Sequence, residues 1–120
     1  MSVCAIRGAT CLDVDDAGHM SERVAELMEQ MLTRNTIEHD DIISIILTCT
    51  PDLKSAFPAA AVRAFGITAT PLLCAQEVDV AGALSRVVRI MAHVEAPLQR
   101  SQVQHVYIRG AEVLRPDTQK

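Results

Sequence analysis

Apolar residues recur at helical spacing after the acidic turn Asp13, Asp15 and Asp16. Met20, Val24, Leu27, Met28, Met31 and Leu32 fall on one stripe, while Glu22, Arg23, Glu26, Glu29 and Gln30 fall on the other. That period predicts a helix running through Arg34, capped by the aspartates and stopped at Asn35. Its methionines read as core packing rather than as a ligand site. Ahead of it, Val3 to Val14 reads as a strand, with Gly8 as a bend or bulge. Beyond it, Glu38-His39-Asp40-Asp41 reads as a solvated turn. Ile42 to Cys49 is the strongest strand pattern, apolar on both faces and therefore central in a sheet.

Thr50-Pro51-Asp52 breaks that strand. Ser55-Ala56-Phe57-Pro58 opens a short Ala-rich helix to about Phe65, with Pro58 tolerated in the first turn, and Gly66 ends it. Thr70 to Leu73 reads as a short strand leading into Cys74-Ala75-Gln76-Glu77, and Ala81-Gly82-Ala83 as a turn. In the next strand, Arg86 to Glu95, Val88, Ile90, Ala92 and Val94 share one apolar face. Arg89 falls on the other with Val87, Met91 and His93. Pro97 to Gln102 is a connector and Val103 to Ile108 a last strand. Arg109-Gly110 makes a turn or bulge before Ala111 to Leu114, and Arg115-Pro116-Asp117 ends the ordered chain. The expected fold class is α+β, a mixed five-stranded sheet with one long and one short helix. One long helix covers one face of such a sheet. Oligomerisation is the natural cover for the other, so the pattern predicts a homo-oligomer with pockets at subunit junctions.

Composition narrows the classes. A chain of 120 residues is the size of one domain, spanning 1–120, and 49% hydrophobic residues exclude disorder by composition. Phe57, Phe65 and Tyr107 are its only aromatic residues, so the core is expected to be aliphatic and rich in methionine. A net charge of −4 without a basic tract argues against nucleic acid as a partner. No apolar stretch nears the roughly 20 residues that span a bilayer, and the start lacks a signal-peptide pattern. A soluble, cytoplasmic protein without membrane partners is expected. Cys4, Cys11, Cys49 and Cys74 form no C-x-x-C pair and read as small buried hydrophobes. The four histidines are scattered, so no metal site is expected.

Three charges interrupt apolar sequence. Arg89 lies within Val87-Val88-Arg89-Ile90-Met91, Glu77 follows Cys74-Ala75-Gln76, and Arg7 follows Val3-Cys4-Ala5-Ile6. A guanidinium cannot shed its charge, and burying one is costly unless an anion meets it. The pattern suggests a pocket for a small molecule carrying carboxylates. Plainer readings stand beside this one. Arg7 could pair with Glu77 or an aspartate, Glu77 could serve only Arg89, and Tyr107 could be ordinary strand packing.

In this order the chain resembles the monofunctional, AroH-class chorismate mutases. The matching stretches are Ile6-Arg7-Gly8-Ala9-Thr10, Thr50-Pro51-Asp52-Leu53, Ala56-Phe57-Pro58-Ala59, Val62-Arg63, Cys74 to Val80, Arg89-Ile90-Met91, His105-Val106-Tyr107 and Leu114-Arg115-Pro116-Asp117. The resemblance implies a homotrimer forming a pseudo-α/β barrel, with active sites at the subunit interfaces. It implies the Claisen rearrangement of chorismate to prephenate, on the way to phenylalanine and tyrosine, with no cofactor and no covalent intermediate. The ether C–O bond breaks before the new C–C bond is complete, leaving negative charge on the ether oxygen. Catalysis then means holding a dicarboxylate in a compact conformer and fixing positive charge beside that oxygen.

Carried across, Arg89 donates to the ether oxygen. Glu77 accepts from the ring hydroxyl, helped by Cys74, while Arg7 and Tyr107 bind the enolpyruvyl carboxylate. Phe57 lines the pocket from a neighbouring subunit and Leu114 adds an apolar contact. Leu73, Ala75 and Gln76 join the substrate-binding set, and Arg63 and Arg115 draw in the dianion near the entrance. Ala60 departs from the family pattern, where a lysine is common. The chain ends three residues after Asp117, an expected short tail, and Gly66-Ile67 looks like a tightened loop. The alternatives are a trimeric module that binds a small carboxylate without turnover, or a relative acting on another chorismate-like acid.

Overall fold

The computed structural model describes residues 2–115. Five strands, β1 (Ser2–Cys11), β2 (Ile42–Cys49), β3 (Leu72–Gln76), β4 (Val87–Ala96) and β5 (Val106–Tyr107), form one sheet in the order β3-β2-β4-β1-β5. β4 runs antiparallel to both β1 and β2, whereas β3 is parallel to β2 and β5 parallel to β1. The sheet is therefore mixed, as the pattern of elements predicts. Helices α1 (Ala17–Asn35) and α2 (Pro58–Ala64) pack together on one face.

The stripe on α1 is the core: Met20, Val24, Leu27, Met28, Met31 and Leu32 are all buried. They meet Val88, Ile90, Ala92 and Val94 of β4, which are buried as alternate residues of one strand should be. A smaller cluster, Ala9, Val87, Tyr107 and Ala111, lies apart from it, with Cys11, Leu84 and Leu114 packed around. Asp16 caps α1 by accepting the His19 amide at 2.9 Å. His39–Asp41 forms a single 3₁₀ turn with Glu38 at its N-cap, and Glu38, His39 and Asp40 are exposed, in keeping with a solvated charge cluster.

Several expectations are corrected. Strand β1 ends at Cys11 rather than Val14, and Gly8 is not a bulge. The pairing runs unbroken through Gly8, opposite Ile90 on one side and Val106 on the other. A Cβ there would come within 2.5 Å of Met31 Sδ and 3.0 Å of Leu27 Cδ1, so glycine serves the close approach of α1 to the sheet. The register irregularity lies instead in β2, between Ile42 and Ser44. β2 is an interior strand, but β4 is the middle one, and Ile43 and Ile46 of β2 remain exposed in the protomer.

Asn35 belongs to α1, and the left-handed residue that stops the helix is Thr36, with φ of 55°. The buried Asn35 amide donates to Met31 O and Gln104 O and accepts from the Gln104 amide, clipping the helix end to the segment before β5. That clip is one reason β5 is two residues long instead of six. Side chains replace the ladder around it, His105 Nδ1 accepting the Arg7 amide at 3.0 Å. Strand β3 begins later than expected and carries Cys74 to Gln76 within it. The four cysteines are half-buried free thiols rather than fully buried ones. Pro116 and Asp117 lie outside the described residues.

Candidate active site

The face of the sheet away from the helices carries the interrupted charges. Alternation in β4 turns Arg89 away from the core, and its side chain is 45% exposed. Arg89 thus stands on the face that alternation assigns it, with a carboxylate of the same chain beside it. Glu77 Oε2 lies 3.0 Å from Arg89 Nε, with the Glu77 side chain only 18% exposed. Thr48 Oγ1 donates to the same carboxylate oxygen at 2.7 Å. Thr48 sits directly opposite Arg89 in the β2–β4 register. The Glu77 amide donates to Cys49 O at 3.0 Å, which fixes the glutamate just beyond the end of β3.

Beside this group is a cavity of 280 Å³ bordered by Arg7, Thr48, Arg89, Met91, Tyr107 and Arg115, with Ile46 and Gly8 completing its apolar wall. Among the described residues, Arg7, Arg89 and Arg115 border this cavity, with the Glu77 carboxylate beside Arg89, an arrangement that favours an anion. Arg7 makes no ion pair among the described residues, so its pairing with Glu77 or an aspartate is not seen. Tyr107 is buried, against Ala9 and Val87, and Leu114 packs on the same small cluster.

The remaining predicted residues lie elsewhere in the protomer. Phe57, Cys74, Ala75 and Gln76 border a separate cleft of 590 Å³ between β3 and the segment that joins β2 to α2. Phe57 is 75% exposed at the start of α2 and Arg63 is exposed on that helix. Leu73 is also exposed and pairs in register with Ile46, so the open face continues onto β3. Cys74 packs toward the main core rather than beside Arg89. Burial raises the pKa of its neighbour Cys49, with Cys74 and Glu77 adding to the effect, so that thiol stays protonated at neutral pH. Among the described residues no three histidines, cysteines or carboxylates gather as a metal site.

Thr48 carries no motif and interrupts no apolar run with charge. Its only sequence signal is a hydroxyl near the end of an aliphatic strand, and its value depends on cross-strand register that one sequence does not display. His105 is likewise unassigned beyond the matching stretch. Burial lowers its pKa, which suits a neutral ring accepting the Arg7 amide.

The family model for chorismate mutase type I matches residues 3–118. The chain belongs to the chorismate mutase type I family. It is 36% identical over 118 residues to chorismate mutase AroH of Bacillus subtilis (strain 168), covering 98% of this chain and 93% of that protein. It is 41% identical over 116 residues to chorismate mutase AroH of Thermus thermophilus, covering 96% and 95%. Among solved structures it resembles a chorismate mutase from Clostridium thermocellum with a TM-score of 0.89 and 44% identity, over 92% of this chain and 98% of that one. The similarity spans both regions, the Arg89 face and the Phe57 cleft, so membership in the chorismate mutase type I family applies to the chain as a whole.

Proposed function

We propose that this chain is a chorismate mutase, converting chorismate to prephenate at a site shared between copies of a homotrimer. The observation that carries this reading is the Arg89–Glu77–Thr48 group standing beside Arg7 and Tyr107 on the helix-free face. Arg89 supplies fixed positive charge where the ether oxygen becomes negative. A preorganised donor of this kind stabilises the transition state more than the ground state. Glu77 accepts from the ring hydroxyl. Arg7 and Tyr107 hold the enolpyruvyl carboxylate, and Arg115 adds attraction for the dianion. No proton need move, and the protein acts by confining the substrate and by charge placement.

The second half of the site comes from another copy. Phe57 and Cys74 border a cleft that does not include Arg89, and the open face bears Val3, Ile46, Leu73 and Met91 as exposed apolar residues. A neighbour that covers this face would bring its Phe57 cleft, with Cys74, Ala75, Gln76 and Arg63, against the arginines. No helix among the described residues is long and apolar enough to cross a membrane. The test is to follow chorismate in ultraviolet absorbance while assaying prephenate and measuring particle mass by light scattering. The proposal expects stoichiometric conversion by a trimer. Tight binding without loss of chorismate would make the chain a carboxylate-binding module, and loss without prephenate would mean different chemistry.

A further inference from the structure

We propose that Thr48 is a positioning residue for this rearrangement, holding Glu77 by one oxygen so that the other oxygen meets the substrate hydroxyl. The inference rests on the chorismate mutase reading. Its starting point is that the hydrogen bond from Thr48 and the closest approach of Arg89 fall on the same Glu77 oxygen, Oε2. A carboxylate beside an arginine favours a bidentate grip on the guanidinium. Such a grip would take up both carboxylate oxygens and would partly neutralise Arg89 where the transition state needs its charge. A hydroxyl donor on Oε2 opposes that rotation.

Thr48 is built for the task. It lies on a paired interior strand, its β-branched side chain has little rotameric freedom, and its neighbours across the sheet are Arg89 on β4 and Ala75 on β3. The residue after it, Cys49, accepts the Glu77 amide. Two adjacent residues of β2 therefore hold Glu77 at its backbone and at its carboxylate. Thr48 also borders the cavity itself, so the hydroxyl bond forms at the wall of the site.

The experiment compares kcat and KM for chorismate, together with Tm, in the full-length wild type, Thr48→Val, Thr48→Ser, Glu77→Gln and the Thr48→Val/Glu77→Gln pair. Valine keeps the shape and removes the donor. Loss of one charge-assisted hydrogen bond should lower kcat about tenfold while KM changes less than about threefold. Serine should restore kcat to within about threefold of wild type, because it keeps the donor. The double variant should fall no more than about twofold below Glu77→Gln alone, since Thr48 acts only through Glu77. Thr48→Ala also lacks the donor and is read in the same way should valine prevent folding. Wild-type kcat in Thr48→Val, an equally impaired Thr48→Ser, or fully multiplicative losses in the double variant would each overturn the assignment. A wild type that makes no prephenate would sink the functional reading and this inference with it, whereas an active wild type with an unaffected Thr48→Val sinks the inference alone.

Discussion

The two faces of the sheet are built from alternate residues of the same strands, yet they obey different rules. In β4, Val88, Ile90, Ala92 and Val94 are buried under the helices with no polar atom among their side chains. The intervening Arg89, Met91 and His93 face the other way, and Arg89 has an ion-pair partner and a cavity beside it. Because successive side chains point to opposite faces, a permanent cation can stand in a β-branched run without entering the core. On the proposed function, the covered face sets stability and the open face carries the chemistry. A substitution should affect one and spare the other.

The largest expected effect is on the open face. Arg89→Ala should lower kcat by about 10²–10³, the loss typical of one oxyanion donor, with little change in Tm. Arg89→Lys should rescue poorly if the planar guanidinium matters. A variant within a few-fold of wild type would break the comparison by showing that the open face carries no catalytic charge. The matching change on the covered face is Leu47→Ala, because Leu47 is fully buried and faces the helices. It should cost about 2–5 kcal/mol in chemical denaturation. At temperatures where it remains folded, its kcat should stay close to wild type.

A smaller effect sharpens the boundary between the faces. The His105 ring is held neutral by burial, which lowers its pKa, and it accepts the Arg7 amide. As pH falls through about 6.5, unfolded chains bind the proton before folded ones do, so stability present above that value is lost on acidification toward the lower folded value. Tm should decline over that window, and the slope should be shallower in His105→Gln. Equal slopes would remove His105 from the account. Asp15 and Glu26 titrate lower still. For Asp15, desolvation is outweighed by the Lys54 and Ser55 hydrogen bonds, and for Glu26 the main cause is its bond to Arg109. Their contributions hold above the carboxylate range and fade only as pH falls through it.

Much of this arrangement was legible from pattern alone. The helical stripe from Met20 to Leu32 located α1, the apolar run Ile42 to Cys49 matched β2 end to end, and alternation in β4 assigned Arg89 to its face. What was not legible depends on long-range partners. Gly8 looks like a bulge residue until Met31 is seen against it. Val103 to Ile108 reads as a full strand because the Asn35 and His105 bonds that replace its ladder are invisible in sequence. Thr48 gains meaning only once the register sets it opposite Arg89. For the site, charges set in apolar sequence pointed to Arg7, Glu77 and Arg89, while Tyr107 entered only through the family resemblance. The separation of Phe57 and Cys74 into another cleft required coordinates.

The central claim is that this face works by fixed charge on a confined dianion rather than by proton transfer. The most direct measurement is kcat for chorismate, with prephenate assayed as product, from pH about 6.5 to about 8.5, because general acid–base catalysis would print its pKa values on that profile. The account predicts prephenate formation with a nearly flat kcat. A bell-shaped profile, or no prephenate at any pH, would contradict it.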